Sequence, residues 1–149
     1  MRWFQFEDDI HRSLDCVPMA VRRKLDRAGI KIGLAQWQAL GRGERLAICH
    51  LPTASSEELE TLQLFIDEAV ARHDGSRASR LPEADRALAE PPAALPAELA
   101  DRASVAGLRL DQAMWHRLDA DERYALIKLA GGKKISHNFP AALREFLPH

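Results

Sequence analysis

The sequence predicts an all-α protein, a compact helical domain made of two pseudo-symmetric helical repeats. Residues 29–51 and 107–129 match without a gap at an offset of 78, with 8 of 23 positions identical. Apolar residues recur every three or four positions along several segments, as on one face of a helix. No segment shows the strict alternation of polar and apolar residues that indicates a strand. A fixed internal period indicates a duplicated supersecondary unit.

The chain has 149 residues, which is a normal length for one domain, so we place both repeats in a single domain. Residues 74–95 hold three prolines and few large apolar groups, so we interpret them as a linker between the repeats. The predicted organisation is a single domain (1–149) with repeat one at 18–51, a long helix at about 56–73, the linker at 74–95, repeat two at 96–129 and a C-terminal segment at 130–149.

Each repeat carries signals for where its helices begin and end. Pro18 and Pro96 suit the first position of a helix, where the missing N–H costs nothing. Gly29 and Gly107 suit the left-handed position that ends a helix. In repeat two, residues 119–122 read Asp-Ala-Asp-Glu, a capping-box pattern that opens the next helix. Repeat one has Gly41 through Glu44 at the same place, which is a weaker cap.

Outside the repeats, Ser55-Ser-Glu-Glu58 is a second capping-box signature. The residues that follow place leucine, phenylalanine and isoleucine side chains on one helical face. Gly75 is a natural stop. We therefore predict one long helix over about 56–73.

Paired tryptophans and Glu-Arg dipeptides recur in the two repeats. The tryptophans could be binding aromatics, and each Glu-Arg dipeptide could be an acid/base pair. Duplication favours a structural role, because a repeated core position explains two copies more simply than two active sites. We predict that six residues belong to the core and caps of the repeats: Trp37, Glu44, Arg45, Trp115, Glu122 and Arg123.

The first repeat also carries the most basic local cluster in the chain. At an offset of 78 the second repeat has Ala100, Asp101, Arg102, Val105 and Arg109, so two units with similar cores differ in charge. A solvated helix face is the usual explanation of such a cluster. Because exposed charges steer an oppositely charged partner, we predict a partner-binding surface. Its five residues are Arg22, Arg23, Lys24, Arg27 and Lys31.

Composition and motifs narrow the possible functions. The formal net charge is −1 at pH 7, which disfavours nucleic-acid binding. No apolar run reaches the roughly 18 residues of a membrane span, and the N-terminus turns acidic where a signal peptide would be apolar. We predict a cytoplasmic protein that does not enter a membrane.

The sequence shows no motif for catalysis or for binding a cofactor. The six histidines, including His149, form no metal-ligand pattern, and no phosphate-binding loop or nucleophile elbow is present. Cys16 and Cys49 lack CxxC spacing, and reduced, buried thiols are the simplest interpretation. A metal site formed by these cysteines and His50 stays open as an alternative. We predict no enzyme activity and no cofactor.

Longer motifs extend over both halves of the chain. The N-terminal half carries Phe4-Gln-Phe-Glu7, Cys16-Val-Pro-Met-Ala-Val-Arg22, Lys24-Leu-Asp26, Gly29-Ile-Lys-Ile32, Trp37-Gln-Ala-Leu40 and Glu44-Arg45. The C-terminal half carries Trp115, Glu122-Arg-Tyr-Ala-Leu-Ile-Lys-Leu129, Asn138-Phe-Pro-Ala-Ala-Leu143 and Glu145-Phe146. Together these motifs resemble one known family, the nitrate reductase-associated proteins.

This resemblance implies a small cytoplasmic protein linked to assimilatory, molybdenum-dependent nitrate reductase. It implies an accessory or maturation role through protein–protein binding, with nitrate reductase or its maturation machinery as the partner. Family members often carry a cysteine after the proline that matches Pro52, where this chain has Thr53, which weakens thiol-based roles. The alternatives are a nucleic-acid-binding regulator that uses the basic face at 22–31 and a small metal- or cofactor-carrying protein.

Overall fold

A computed structural model describes residues 1–148, of which 63% are helical, and this confirms the predicted helical class. The contacts between residues divide the chain into two compact units. The first contains Met1–Trp3 and Asp9–Ala89, and the second contains Phe4–Asp8 and the chain from Glu90 on. No helix within residues 1–148 is long and apolar enough to cross a membrane.

The chain begins with a 3₁₀ turn at Gln5–Glu7 and a short helix, α1 (Asp8–Ser13). After α1, the first unit contains α2 (Met19–Arg27), β1 (Ile30–Lys31), α3 (Leu34–Ala39), α4 (Arg42–His50), α5 (Ser56–Asp74), β2 (Ser79–Arg80), α6 (Glu83–Arg86) and a 3₁₀ turn at Ala87–Ala89. Its core contains fully buried side chains from successive helices and from the turn that follows α1. They include Leu14, Val21, Trp37, Ile48, Leu62 and Ile66.

Helix α5 forms where the sequence predicts the long helix. The Ser55 hydroxyl accepts a hydrogen bond from the Glu58 amide, and the Glu58 carboxylate accepts one from the Ser55 amide. These reciprocal bonds satisfy amides that the first turn leaves unpaired. At the other end Gly75 adopts a left-handed conformation with φ of 73°. The helix therefore ends at Asp74.

One expectation about the first unit is wrong, because the sequence predicts no strand. β1 and β2 form a small antiparallel pair in which Ile30 lies opposite Arg80 and Lys31 opposite Ser79. Gly29, with φ of 71°, turns the chain out of α2 and directs it toward β2. Two residues per strand are too few to show an alternating pattern, so periodicity could not reveal them.

The second unit contains α7 (Ala97–Val105), α8 (Gln112–His116), α9 (Ala120–Ala130) and α10 (Asn138–Phe146). The N-terminal segment packs on α10. The amides of Gln5 and Phe6 donate to the Glu145 carboxylate at 3.0 and 2.8 Å, and the Phe4 ring lies 4.9 Å from that of Phe146. The buried side chains of this unit include Leu99, Trp115, Tyr124, Leu126, Phe139 and Leu143.

The local structure repeats with the sequence. The starts of α2, α3 and α4 differ from those of α7, α8 and α9 by 78 residues each. Pro18 and Pro96 lie one residue before the helices rather than at the first helical position. Gly29 and Gly107 have φ of 71° and 75°. A pseudo-symmetric relation between whole repeats stays a prediction.

The predicted linker contains ordered structure. The boundary between the two units falls within it, after Ala89. Residues 79–89 hold β2, α6 and a 3₁₀ turn, and Ala78 and Ala89 are buried. Beyond the boundary, the Gln112 side chain accepts from the Leu95 amide and donates to the Ala93 carbonyl. Each part of this segment is thus held against its own unit.

Candidate partner-binding surface

Trp37 and Arg45 hold one turn of the first unit. Trp37 is fully buried, and its indole Nε1 donates to the Leu14 carbonyl at 2.8 Å. Arg45 Nη1 donates to the same carbonyl at 2.8 Å. Leu14 has a left-handed backbone with φ of 55°, which is strained for a leucine. The predicted repeat residues thus stabilise an unfavourable turn.

Trp115 and Arg123 have related roles in the second unit. Trp115 is fully buried, and its Nε1 donates to the Pro92 carbonyl at 3.0 Å. The Arg123 guanidinium lies 5.6 Å from the Trp115 ring centre, within range of a cation–π interaction. Arg123 Nε also donates to the Trp115 carbonyl at 3.1 Å. These contacts lie inside the unit and give no binding surface.

Both glutamates of the Glu-Arg dipeptides cap helices. The Glu44 carboxylate accepts from the Gly41 amide at 2.8 Å, and the Glu122 carboxylate accepts from the Asp119 amide at 2.9 Å. The Asp119 side chain in turn accepts from the Glu122 amide, which completes the predicted capping box. In repeat one the cap residue is a glycine, so only the glutamate's half of the box forms.

Glu44 makes two further contacts that tie α4 to α5. Arg72 Nη2 lies 2.8 Å and His73 Nε2 lies 2.7 Å from its carboxylate oxygens. The hydrogen bond from His73, with those from the Gly41 amide and Arg72, lowers the pKa of Glu44 to about 2. A carboxylate with so low a pKa is poorly matched to general acid–base work at neutral pH.

Two of the five basic residues predicted to bind a partner, Lys24 and Arg23, make hydrogen bonds within the first unit. Lys24 Nζ donates to the carbonyls of Ile48 and Cys49 at 2.8 and 2.9 Å, which satisfies the C-terminal end of α4. Burial lowers the pKa of Lys24. Arg23 Nε donates to the Ala89 carbonyl at 2.8 Å. Two of the five cations therefore hold the fold together.

The other three remain at the surface of the first unit. The side chains of Arg22 and Lys31 are exposed and make no hydrogen bond or ion pair within residues 1–148, whereas Arg27 is half-buried. Arg86, a cation for which the sequence analysis predicted no role, contacts the backbone of Arg27. Arg86 Nη2 donates to the Arg27 carbonyl at 3.0 Å, and its side chain covers Gly29. Arg86 lies in the predicted linker, where no local pattern indicates a role.

The alternative metal site is not assembled. Cys16 is exposed and Cys49 is buried, both as free thiols, and His50 is exposed. Burial raises the pKa of the Cys49 thiol, which favours an inert residue. No three His, Cys, Asp or Glu side chains within residues 1–148 group in a way that could hold a metal ion. His149 lies outside the described residues.

A surface groove of about 380 Å³ lies on the second unit. It is lined by Arg109, Asp111, Ala113, Met114 and Arg117. The Asp111 carboxylate accepts from the Met114 amide at 2.9 Å and pairs with Arg109 at 2.7 Å. Its pKa is lowered, chiefly by the bond from the Met114 amide. The carboxylate thus serves as the cap of α8.

The fold and these contacts define a small helical protein whose predicted site residues mostly stabilise their own units. The chain belongs to the family described as conserved nitrate reductase-associated protein, which matches residues 3–146. This match over nearly the whole chain confirms the resemblance seen in its motifs. No curated protein and no solved structure matches the chain.

Proposed function

We propose that this chain is a non-enzymatic accessory factor that binds assimilatory, molybdenum-dependent nitrate reductase, or a protein of its maturation, in the cytoplasm. The observation that carries the proposal is the family match over residues 3–146, since the family is described as nitrate reductase-associated. The proposed action is protein–protein binding that changes the yield or activity of the reductase.

The contacts of the candidate acid/base residues support a structural role for these residues rather than catalysis. The carboxylates of Glu44 and Glu122 accept hydrogen bonds from amides at helix starts. Arg45 and Arg123 donate to backbone carbonyls within their own units. Groups that act in catalysis must instead reach a reacting atom. Two similar arrangements in one chain fit a structural role that duplication preserved.

Charge on the first unit suggests how a partner is recognised. Arg22 and Lys31 are exposed, and their positive charges are not needed for the hydrogen bonds described above. Exposed charges add little stability but accelerate association with an oppositely charged surface. We therefore infer that these two residues face an acidic surface on the partner.

The experiment measures binding of the purified full-length chain to immobilised nitrate reductase holoenzyme by surface plasmon resonance. Saturable binding that weakens as salt rises is expected. A second measurement compares molybdenum content and nitrite formation of reductase matured with and without the chain. No binding together with unchanged molybdenum content and activity would refute an accessory role.

A double variant tests the acidic partner surface. Arg22→Glu with Lys31→Glu is expected to slow association about tenfold or more, because electrostatic steering reverses sign. The matched control is Lys134→Glu with Arg144→Glu, which makes the same charge change at two exposed positions of the second unit. Equal association rates for both double variants would exclude a specific role for the first pair.

A further inference from the structure

The C-terminal end of α2 is covered by a distant part of the same chain. The carbonyls of residues 27–29, at the last residue of α2 and just beyond it, each accept a hydrogen bond from elsewhere in the first unit, and the adjacent strand β1 pairs with β2. The donors are Arg86 Nη2 to Arg27 at 3.0 Å, Gln63 Nε2 to Ala28 at 2.6 Å and the Leu81 amide to Gly29 at 2.9 Å. Segment 79–86 thus supplies both a strand and a guanidinium to this helix end.

The corresponding end of α7 is open. Gly107 makes the same left-handed turn as Gly29, and the Leu108 amide returns to the Ala103 carbonyl at 2.9 Å. Within residues 1–148, no hydrogen bond reaches the carbonyls of residues 105–107. Residues 108–110 have no regular secondary structure and pair with no described strand. We name residues 105–110 the α7 edge.

The α7 edge is accessible and attracts hydrogen-bond donors. Val105 is 80% exposed, and the Arg109 side chain is 81% exposed. The last carbonyls of a helix have no partner within it and carry the negative end of its dipole, so donors and cations are favoured there. On the first unit, Arg86 and the amide of Leu81 meet these requirements.

We propose that the α7 edge binds an extended, arginine-containing segment of a partner protein. The segment pairs with the backbone of residues 108–110 and donates a guanidinium to the carbonyls that end α7, as residues 79–86 do at α2. Addition of a strand to an unpaired edge is a common way to recognise a peptide. The inference rests on the proposed function, because it locates a surface where the partner protein binds.

A second copy of this chain is not the expected occupant. Each chain has one segment 79–86, and its own first unit already holds it through the pairing of β1 with β2 and the bond from Arg86. A copy could donate the segment only by giving up these contacts. A different protein whose segment is unpaired before binding would not have to break such contacts.

The probe is a synthetic peptide of residues 77–88 with blocked ends, titrated into the isotopically labelled full-length chain. Saturable shifts of the backbone amide signals of residues 107–110 are expected at peptide concentrations up to about 1 mM, which is ordinary for a short, weak ligand. Two modified peptides serve as controls, one methylated at the Leu81 nitrogen and one with Arg86→Ala. Each should bind about tenfold more weakly, since each loses one donor to the helix end.

Because only the peptide is altered, the fold of the protein is constant in every titration. The absence of saturable shifts would overturn the inference, as would shifts confined to residues 29–31 or equal affinities of the three peptides. Binding of the unmodified peptide at residues 107–110, with weaker binding of both controls, supports it.

Competition with nitrate reductase separates this inference from the proposed function. Binding of the peptide decides whether the α7 edge is a docking site, whereas capture of the holoenzyme decides whether the chain binds the reductase. Where both occur, the peptide should displace the reductase, and Arg109→Pro, which removes one edge amide, should weaken capture more than Arg109→Ala. Each proposal can therefore fail alone.

Discussion

The ends of α2 and α7 show how far two similar sequences can diverge in structure. Both helices run for nine residues, and a glycine with φ above 70° follows two residues after the end of each helix. At α2 the turn is covered by residues 79–86, whereas at α7 it is open. The local sequence therefore determines the turn, but a segment about 50 residues away determines whether the turn is buried. Among residues 1–148 the second unit has no such segment, and Val105 at the end of α7 is exposed.

The cores of the two units are alike, and this predicts the largest effects of mutation. Trp37→Ala and Trp115→Ala should each lower the free energy of unfolding by about 3–5 kcal/mol, because each removes a fully buried ring and leaves a cavity. Urea denaturation measures both. Leu64→Ala, at a side chain 63% exposed, is the control and should cost less than about 0.5 kcal/mol. A small cost for one tryptophan alone would show that the two cores differ.

The next comparison concerns the two glycines. Gly107→Ala should cost about 1–2 kcal/mol, the penalty for an alanine in a left-handed conformation. Gly29→Ala should cost about 2–3 kcal/mol, since an added Cβ would lie 2.8 Å from Arg86 Nε and displace that side chain from the Arg27 carbonyl. In an Arg86→Ala background the two costs should converge. Thermal and urea denaturation of the single variants and of the two glycine variants in the Arg86→Ala background measures these costs. Equal costs of Gly29→Ala and Gly107→Ala in the parent chain would contradict the inference that only the turn at Gly29 is covered.

These comparisons also show what the sequence could reveal. The capping boxes at Ser55 and Asp119, the glycine turns and the repeated tryptophans each follow from residues a few positions apart, and the structure contains all of them. The roles of Lys24 and Arg23 do not follow from nearby residues. Their backbone acceptors lie at least 24 and 66 residues away, respectively. A local charge pattern cannot distinguish a cation that caps a distant helix from one that faces solvent.

The β1–β2 pair and Arg86 escaped prediction for the same reason. Both belong to residues 74–95, whose prolines and small side chains are typical of a linker. Their structure depends on contacts with α2 and β1 rather than on their own periodicity. The docking site that we propose at the α7 edge was the least predictable feature, because the sequence of a helix end does not show whether a distant segment covers it.

A smaller effect is expected from the carboxylate that joins α4 to α5. The folded-state pKa of Glu44 is about 2, below its ordinary value of 4.5, so its ionised form stabilises the fold. This contribution is complete above about pH 4.5 and is lost as the pH falls toward 2. Glu44→Gln should therefore cost about 1 kcal/mol at pH 7 and almost nothing near pH 2. Urea denaturation across this range measures the difference.

The control for Glu44 removes its partners and keeps its cap. Arg72→Ala with His73→Ala retains the bond from the Gly41 amide but loses the two side chains that lower the pKa of Glu44. The acid-dependent loss of stability should then shift to higher pH. A Glu44→Gln cost that does not change with pH would show that the carboxylate acts only through its shape.

The smallest effect is expected where the basic cluster of α2 faces solvent. Arg22→Glu with Lys31→Glu should change the free energy of unfolding by less than about 0.5 kcal/mol, because neither side chain is bonded within the described chain. Arg23→Glu, the comparison variant, should cost about 1–3 kcal/mol, since it breaks the bond to the Ala89 carbonyl. Urea denaturation of both proteins tests this division of one charge cluster into structural and surface halves. If the Arg22→Glu, Lys31→Glu double variant lost as much stability as Arg23→Glu, the charges of Arg22 and Lys31 would stabilise the fold. The second repeat, which has Ala100 and Arg109 at the matching positions, would then need a different source of that stability.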